Sequence, residues 1–247
     1  MHRLFVPPDQ LHGAERVRLS PEQSRHLGTV LRLKPGEELE VFDGRGARFR
    51  AWLEDAPELD AAVLRLAEPL AEGPLRAVDV VLVQALAKGD KMEVVVQKAT
   101  ELGATRVVPL TSERAVVRLD AERGGAKAER WRKVAQESAR QCGRADVPVI
   151  DEPCGWKEVF ALLRAEPLRR GILLDPEEKQ LRLGAAARGA RRILLAVGPE
   201  GGFSPEELER ARESGLLIAG LGPSVLRTET AGLAALAVVL HVHGELG

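Results

Sequence analysis

The chain has 247 residues, with 36 Lys and Arg against 37 Asp and Glu, for a formal net charge of −1. That balance excludes a polycation that holds nucleic acid by bulk charge, so any such contact needs a local patch. The length fits one large domain or two modest ones, and the longest apolar stretch, Ala231 to Val242, is too short and interrupted to span a bilayer.

The start, Met1-His2-Arg3-Leu4-Phe5, has no long apolar leader and reads as a mature N-terminus. Residues 1 to about 70 read as β-rich. The expected strands are Arg3–Val6, Arg16–Leu19, Glu38–Phe42, Arg48–Leu53 and Ala62–Leu66, with a tight turn at Asp43-Gly44-Arg45-Gly46. One helix interrupts them, from Pro21 to about Arg32. Ser20 stands as its N-cap, Pro21 at its first position and Gln23 in the capping-box position. Short strands of this kind close most simply into a small barrel. The segment from Glu68 to Pro74 reads as a linker.

Beyond it strands and helices alternate. Val78–Ala85 is a largely apolar run, the mark of a strand buried on both faces. Next come a helix from about Lys88 to Leu102, a strand Arg106–Leu110, a helix Ala128–Cys142, a strand Val147–Ile150, a helix Trp156–Arg164 and a strand Gly171–Leu174. Two further strands, Ile193–Val197 and Leu216–Leu221, each run through a glycine-rich loop into a helix. The expected fold class is α/β, with a parallel sheet covered by helices. The last helix, Glu229 to His243, is apolar nearly all round. Periodicity alone favours a core helix over a subunit interface.

The two glycine loops carry the most information. They are Val197-Gly198-Pro199-Glu200-Gly201-Gly202-Phe203-Ser204 and Leu221-Gly222-Pro223-Ser224-Val225-Leu226-Arg227-Thr228. Glycines let backbone approach a ligand, and a helix N-terminus offers unpaired N–H groups. Successive loops of this kind point to one pocket at the C-terminal ends of adjacent strands. A side chain at Gly201 or Gly222 is expected to obstruct it. Neither loop is a P-loop or a GxGxxG fingerprint. Ser204 and Glu207 repeat the capping signature of Ser20 and Gln23, and Thr228 reads as the cap of the last helix. Glu200 is either a solvated loop carboxylate or one that meets a ligand or an Arg. Arg227 adds positive charge just before a helix N-terminus, which favours an anionic partner, a carboxylate such as Glu200 or a phosphate.

Between Arg106 and Arg144 stand ten basic residues, Arg118 among them, against five acids, a plausible phosphate-contacting stretch. The histidines show no metal spacing. Cys142 and Cys154 form no CxxC or Cys/His cluster, which argues against a zinc site and fits a reducing cytosol. No Ser-His-Asp or Cys-His pairing and no paired-carboxylate motif stands out. A reaction that relies on binding and orientation, such as methyl transfer from a sulfonium donor, fits better.

Several segments together resemble the ribosomal RNA small subunit methyltransferase E family, a branch of the SPOUT methyltransferases. They are Gly198-Pro199-Glu200-Gly201-Gly202-Phe203-Ser204, Leu221-Gly222 and Leu226-Arg227-x-Glu229-Thr230-Ala231. His26-Leu27-x-x-Val30-Leu31-Arg32, Lys88-x-x-Lys91-x-Glu93, Gln97-Lys98-Ala99-Thr100-Glu101-Leu102-Gly103 and Gln141-Cys142-Gly143-Arg144 add to them. Arg140 stands where the family pattern has Glu. The resemblance covers nearly the whole chain.

It implies a PUA-like β-barrel over residues 1–70 that binds RNA, then a SPOUT domain over residues 71–247 with a C-terminal trefoil knot. It implies S-adenosyl-L-methionine as cofactor, no metal, and a cytoplasmic homodimer with 16S rRNA or the small ribosomal subunit as partner. The implied reaction is methylation of uridine N3. The implied cofactor residues are Leu174, Val197, Gly198, Pro199, Glu200, Gly201, Gly202, Leu221, Gly222, Ser224, Val225 and Leu226. Arg227, Glu200 and Glu229 are the implied catalytic candidates, and Arg3, His26, Arg32 and Arg114 the RNA contacts. A dimer makes the interface reading of the last helix more attractive.

Overall fold

A computed structural model describes residues 1–55, 61–70, 76–117 and 119–247. The chain divides into two units, residues 1–74 with 139–147, and residues 75–138 with 148–247. The return of 139–147 to the first unit is not visible in the sequence.

The first unit holds strands β1 (His2–Phe5), β2 (Arg16–Arg18), β3 (Glu38–Phe42), β4 (Arg48–Asp55) and β5 (Val63–Pro69). They pair in the order β1-β3-β4-β5-β2, parallel between β1 and β3 and antiparallel elsewhere. No pairing among the described residues joins β2 to β1, so hydrogen bonds do not close the expected barrel. A short helix fills the gap. In α2 (Pro21–Arg25), the Gln23 amide donates to the Phe5 carbonyl at the end of β1, at 2.9 Å. The neighbouring Ser24 hydroxyl accepts from Ala62 N, one residue before β5, at 3.0 Å. The Ser20–Gln23 capping box starts this helix as expected. The same segment continues as a π-helical turn, His26–Leu31, and leaves through Arg32 at φ 55°. It is therefore not one helix to Arg32. The wider turn sets Leu27 into the apolar core beside Leu4, Val6, Leu39 and Leu64. A four-residue helix α1 (Pro8–Leu11), too short to leave a periodic pattern, buries Leu11 in the same core. The expected linker begins inside β5, and its residues 71–74 lie outside the described ones.

The second unit runs β6 (Asp79–Ala85), α3 (Lys91–Leu102), β7 (Arg106–Leu110), α4 (Ala121–Cys142), β8 (Val149–Ile150), α5 (Trp156–Arg164), β9 (Arg170–Leu174), α6 (Leu183–Ala187), β10 (Arg192–Val197), α7 (Pro205–Glu213), β11 (Leu217–Ala219) and α8 (Thr228–Val242). The last turn of α4 belongs to the first unit's segment. All five pairings in the sheet, ordered β11-β9-β10-β6-β7-β8, are parallel. Helix α4 starts at Ala121 rather than Ala128, because the Asp120 carboxylate accepts from Arg123 N at 2.8 Å and caps it there. Helix α6, five residues long, was not foreseen. One sheet face packs Val81, Val83, Leu173 and Leu194 against Trp156, Leu163 and Phe203. Helices α3 and α6 each pack against α8, and α8 also packs against β6 and β10.

The strand order reverses direction at β6. Strand β7 lies on one side of it and β10 on the other, which is where an open parallel sheet leaves a crevice at its carboxyl edge. The chain also crosses itself beside that edge. Gly220, after β11, donates to Leu181 O and accepts from Leu183 N, so it runs against the 175–183 segment that follows β9. A Cβ on Gly220 would lie 2.2 Å from the Glu178 carbonyl oxygen. Only glycine lets two stretches of backbone come so close.

Candidate functional site

Strands β9 and β10 end at Leu174 and Val197, and β11 at Ala219. The loops leaving them enclose an open cleft of about 620 Å³, counting space open to solvent. Its lining joins Leu174 to both glycine loops: Val197, Gly198, Pro199, Glu200 and Gly202 from the first, and Leu221, Gly222, Ser224, Val225 and Leu226 from the second. Gly201 is not part of the lining. Asp175, Pro176, Thr228 and Ala231 are, and the sequence had not marked them as cleft residues. Only Asp175 carried a recoverable signal, since it follows a buried strand directly at the carboxyl edge.

The first loop is held from both sides. At its far end, Ser204 and Glu207 form the expected capping box of α7. Glu207 does more than cap. It is fully buried, and one of its oxygens accepts from Trp156 Nε1 at 2.8 Å and from Glu113 N at 3.0 Å. A buried carboxylate is tolerated because it is met by several donors. Arg114, an expected RNA contact, reaches from this anchored segment and donates to Gly201 O at 3.2 Å.

At its near end the loop meets α8. Thr228 does not cap that helix; Arg227 occupies the N-cap position, with no side-chain cap bond. The Thr228 hydroxyl instead donates to Gly198 O at 2.5 Å and accepts from Gln84 Nε2 at 2.8 Å. Gln84 sits fully buried in central strand β6.

Glu200 meets neither open solvent alone nor Arg227. Its carboxylate pairs with Lys91 Nζ at 2.9 Å, and the same ammonium lies 3.2 Å from Glu229. Burial pushes the Glu200 carboxyl up, but the Lys91 hydrogen bond and charge, with backbone donors, leave it below its ordinary value. The Lys91 ammonium is raised, chiefly by its bond to Glu200. In the sequence Lys91 stands out only within Lys88-x-x-Lys91-x-Glu93. Arg227 is exposed, and its guanidinium makes no hydrogen bond or ion pair with a described residue.

The expected RNA contacts separate. Arg3 is committed to its own unit. It bonds Glu40 at 2.6 Å, donates to Ala139 O at 3.3 Å and lies over the Phe42 ring. Arg32 is exposed at the end of the π turn, and His26 is half-buried beneath it, with a buried Nε2 that has no partner. Five of the ten basic residues between Arg106 and Arg144 are paired with acids. Arg106 pairs with Asp151, Arg123 with Asp120, Arg130 with Glu93, Arg132 with Glu129 and Arg144 with Asp146. Arg118 lies outside the described residues. Among the described residues no group of three His, Cys, Asp or Glu could hold a metal ion, and no helix is long and apolar enough to cross a membrane.

A family described as an RNA methyltransferase domain matches residues 74–240, and one described as an RNA methyltransferase PUA domain matches residues 19–66. The parallel sheet with its looped cleft is thus the catalytic domain of an RNA methyltransferase, and the first unit carries its PUA domain. Ribosomal RNA small subunit methyltransferase E of Bacillus subtilis (strain 168) is 31% identical over 97% of this chain and 96% of its own length. The protein of that name from Mycobacterium tuberculosis is 35% identical over 88% of this chain and 83% of its own. A crystal structure of the Neisseria gonorrhoeae ribosomal RNA small subunit methyltransferase E, bound to S-adenosyl methionine, superposes with a TM-score of 0.87. It is 31% identical and covers 98% of this chain and 97% of its own. The chain belongs to the ribosomal RNA small subunit methyltransferase E family.

Proposed function

We propose that this chain transfers a methyl group from S-adenosylmethionine to N3 of a uridine in 16S rRNA. The observation that carries the reading is the cleft, where two glycine loops and Leu174 meet at the carboxyl edge of a parallel sheet. Its residues suit the cofactor. Leu174, Val197, Leu226 and Ala231 offer apolar wall to an adenosyl group. Asp175, Glu200, Ser224 and Thr228 offer polar groups to a ribose and a charged amino-acid tail. When bound, the cofactor supplies a methyl group already activated by its sulfonium charge. The chain's own residues then have two tasks.

One is to admit the uracil and accept the charge that develops on it as the N3 proton leaves. Arg227 is free and exposed at the N-cap of α8, where its guanidinium and the helix N-terminus both favour an anion. The other is to hold the mouth of the cleft in one geometry. Lys91 does this by tying Glu200 of the first loop to Glu229 of α8. We place RNA binding on Arg32 and His26 of the first unit and on Arg114 beside the first loop, with Arg3 holding its unit together.

The half-buried apolar row Ala231, Ala234, Ala237 and Val238 on α8 fits a homodimer interface that completes the site. The crossing at Gly220 fits a trefoil knot of SPOUT type. Incubation of 16S rRNA, free and in the assembled small subunit, with labelled S-adenosylmethionine tests the activity. The expected product is 3-methyluridine by nucleoside mass spectrometry. Label found on a ribose 2′-oxygen, on guanine or on protein overturns the substrate; binding of ATP but not of S-adenosylmethionine overturns the cofactor.

A further inference from the structure

Two local rules are broken close together. Gln84 is a fully buried amide in the central strand of a parallel sheet, amid Val80, Val81, Leu82, Val83 and Ala85. Gly232 stands inside α8, where glycine costs helix stability relative to alanine. Each accounts for the other. A Cβ on Gly232 would fall 2.5 Å from Gln84 Oε1, so the glycine makes room for the amide. Alanine at 232 with an apolar residue at 84 is the arrangement that stability alone favours. Something else keeps the pair.

The amide's orientation is fixed by its neighbour. The single Thr228 hydroxyl proton goes to Gly198 O, so Thr228 Oγ1 must accept from Gln84, and Nε2 is the atom that faces it. That leaves Oε1 buried without a partner among the described residues, an unfavourable state that native structures rarely keep without reason. The bonds gained by this arrangement run from the sheet to both walls of the cleft. Gly198 begins the first glycine loop, Thr228 ends the second, and both line the cleft. Through one hydroxyl, Gln84 is linked to both.

We infer that Gln84 is a positioning residue that couples the two cofactor loops. The inference rests on the cofactor reading above. Gln84 itself is buried behind Thr228 and acts through it, at a cost in core stability.

The test separates position from stability. In Gln84→Leu the unsatisfied oxygen disappears and an apolar side chain fills the strand. The thermal midpoint should hold or rise, while S-adenosylmethionine binds about three- to ten-fold more weakly by calorimetry, the range of one lost hydrogen bond. Thr228→Val should weaken binding by a similar factor, and the double variant should be no worse than either single one. Gly232→Ala forces the amide aside and should weaken binding in the native background, but have little effect once residue 84 is alanine. A wild-type affinity in Gln84→Leu, or additive losses in the double variant, overturns the coupling. A wild-type protein that fails to bind S-adenosylmethionine overturns the cofactor reading instead. In that case a ligand-free crystal structure of Gln84→Leu decides the coupling alone: a displaced Gly198 or Thr228 supports it, and unmoved loops overturn it.

Discussion

The Lys91 ammonium stands 2.9 Å from the Glu200 carboxylate and so joins the start of α3 to the first glycine loop. The Glu200 carboxyl is held below its ordinary 4.5 against the opposing effect of burial, and Lys91 is raised above 10.5. The carboxylate's contribution is therefore present above 4.5 and fades as pH falls through its lowered value. The ammonium's is present below 10.5 and fades as pH rises through its raised one. Lys91→Met should lower the thermal midpoint by a nearly constant amount between those limits, with the deficit shrinking outside them. A deficit that stays constant from about pH 3 to about pH 11 removes the ion pair as its cause.

The glycines of the two loops differ in what they tolerate. A Cβ on Gly222 meets nothing within 4 Å, yet Gly222 lines the cleft. Gly222→Val should fold normally and lose S-adenosylmethionine binding. A Cβ on Gly201 makes only ordinary contact with Arg114, at 3.6 Å, and Gly201 lies outside the lining. Its substitution should have the smaller effect on affinity. Calorimetric titration of both variants decides; equal losses overturn the distinction.

Gly220 differs again, because the atom it would strike is backbone. A Cβ 2.2 Å from the Glu178 carbonyl cannot be relieved by a rotamer change. Gly220→Ala should destabilise by about 1–3 kcal/mol or more, the usual cost of overpacking. Chemical denaturation measures it, and an unchanged midpoint would show that the 175–183 segment yields freely.

Much of this was legible in the sequence, for identifiable reasons. Buried parallel strands such as Ile193–Val197 show as unbroken apolar runs, and α2 and α7 announce themselves by their caps. The cleft was legible because glycine loops after buried strands have few other uses. Three things were not. The π turn after Arg25 has the composition of an ordinary helix. Lys91 and Gln84 lie more than a hundred residues from the groups they hold, and nothing local distinguishes them except a lone amide in an apolar strand. The pairing of the basic stretch is the third, because a sequence shows charges without partners, and five of its ten basic residues meet an acid across a turn, a strand or a helix pair.

Helix α8 presents two faces, and substitutions should sort accordingly. Leu236 and Val239, which periodicity could not place, are wholly buried within one chain. Leu236→Asp should cost about 3 kcal/mol or more in folding, from lost burial and an unpaired charge. Ala234 and Val238 are only half-buried. Ala234→Glu should leave the chain folded and convert a dimer to a monomer in light scattering. A native protein that is monomeric at micromolar concentration overturns the dimer itself.

Arg227 carries the chemical prediction. In the proposed reaction, uridine N3 holds a weakly acidic imide proton, and the nitrogen attacks the methyl group only as that proton leaves. The negative charge then spreads to the uracil carbonyls, where a fixed cation in a desolvated site stabilises it. Lys91 is already engaged by two carboxylates. Arg227 has no described partner, stands at the N-cap of α8 and follows directly on the cleft residues Ser224, Val225 and Leu226. Because its guanidinium bonds no described residue, Arg227→Ala should leave the thermal midpoint and S-adenosylmethionine affinity near wild type. Methyl transfer to 16S rRNA should fall on the order of 100-fold or more, as for the loss of one such electrostatic contact. Single-turnover assays at saturating RNA distinguish this from weaker RNA binding. A loss that disappears at saturation makes Arg227 a phosphate contact, and near-wild-type turnover at every RNA concentration removes it from the site.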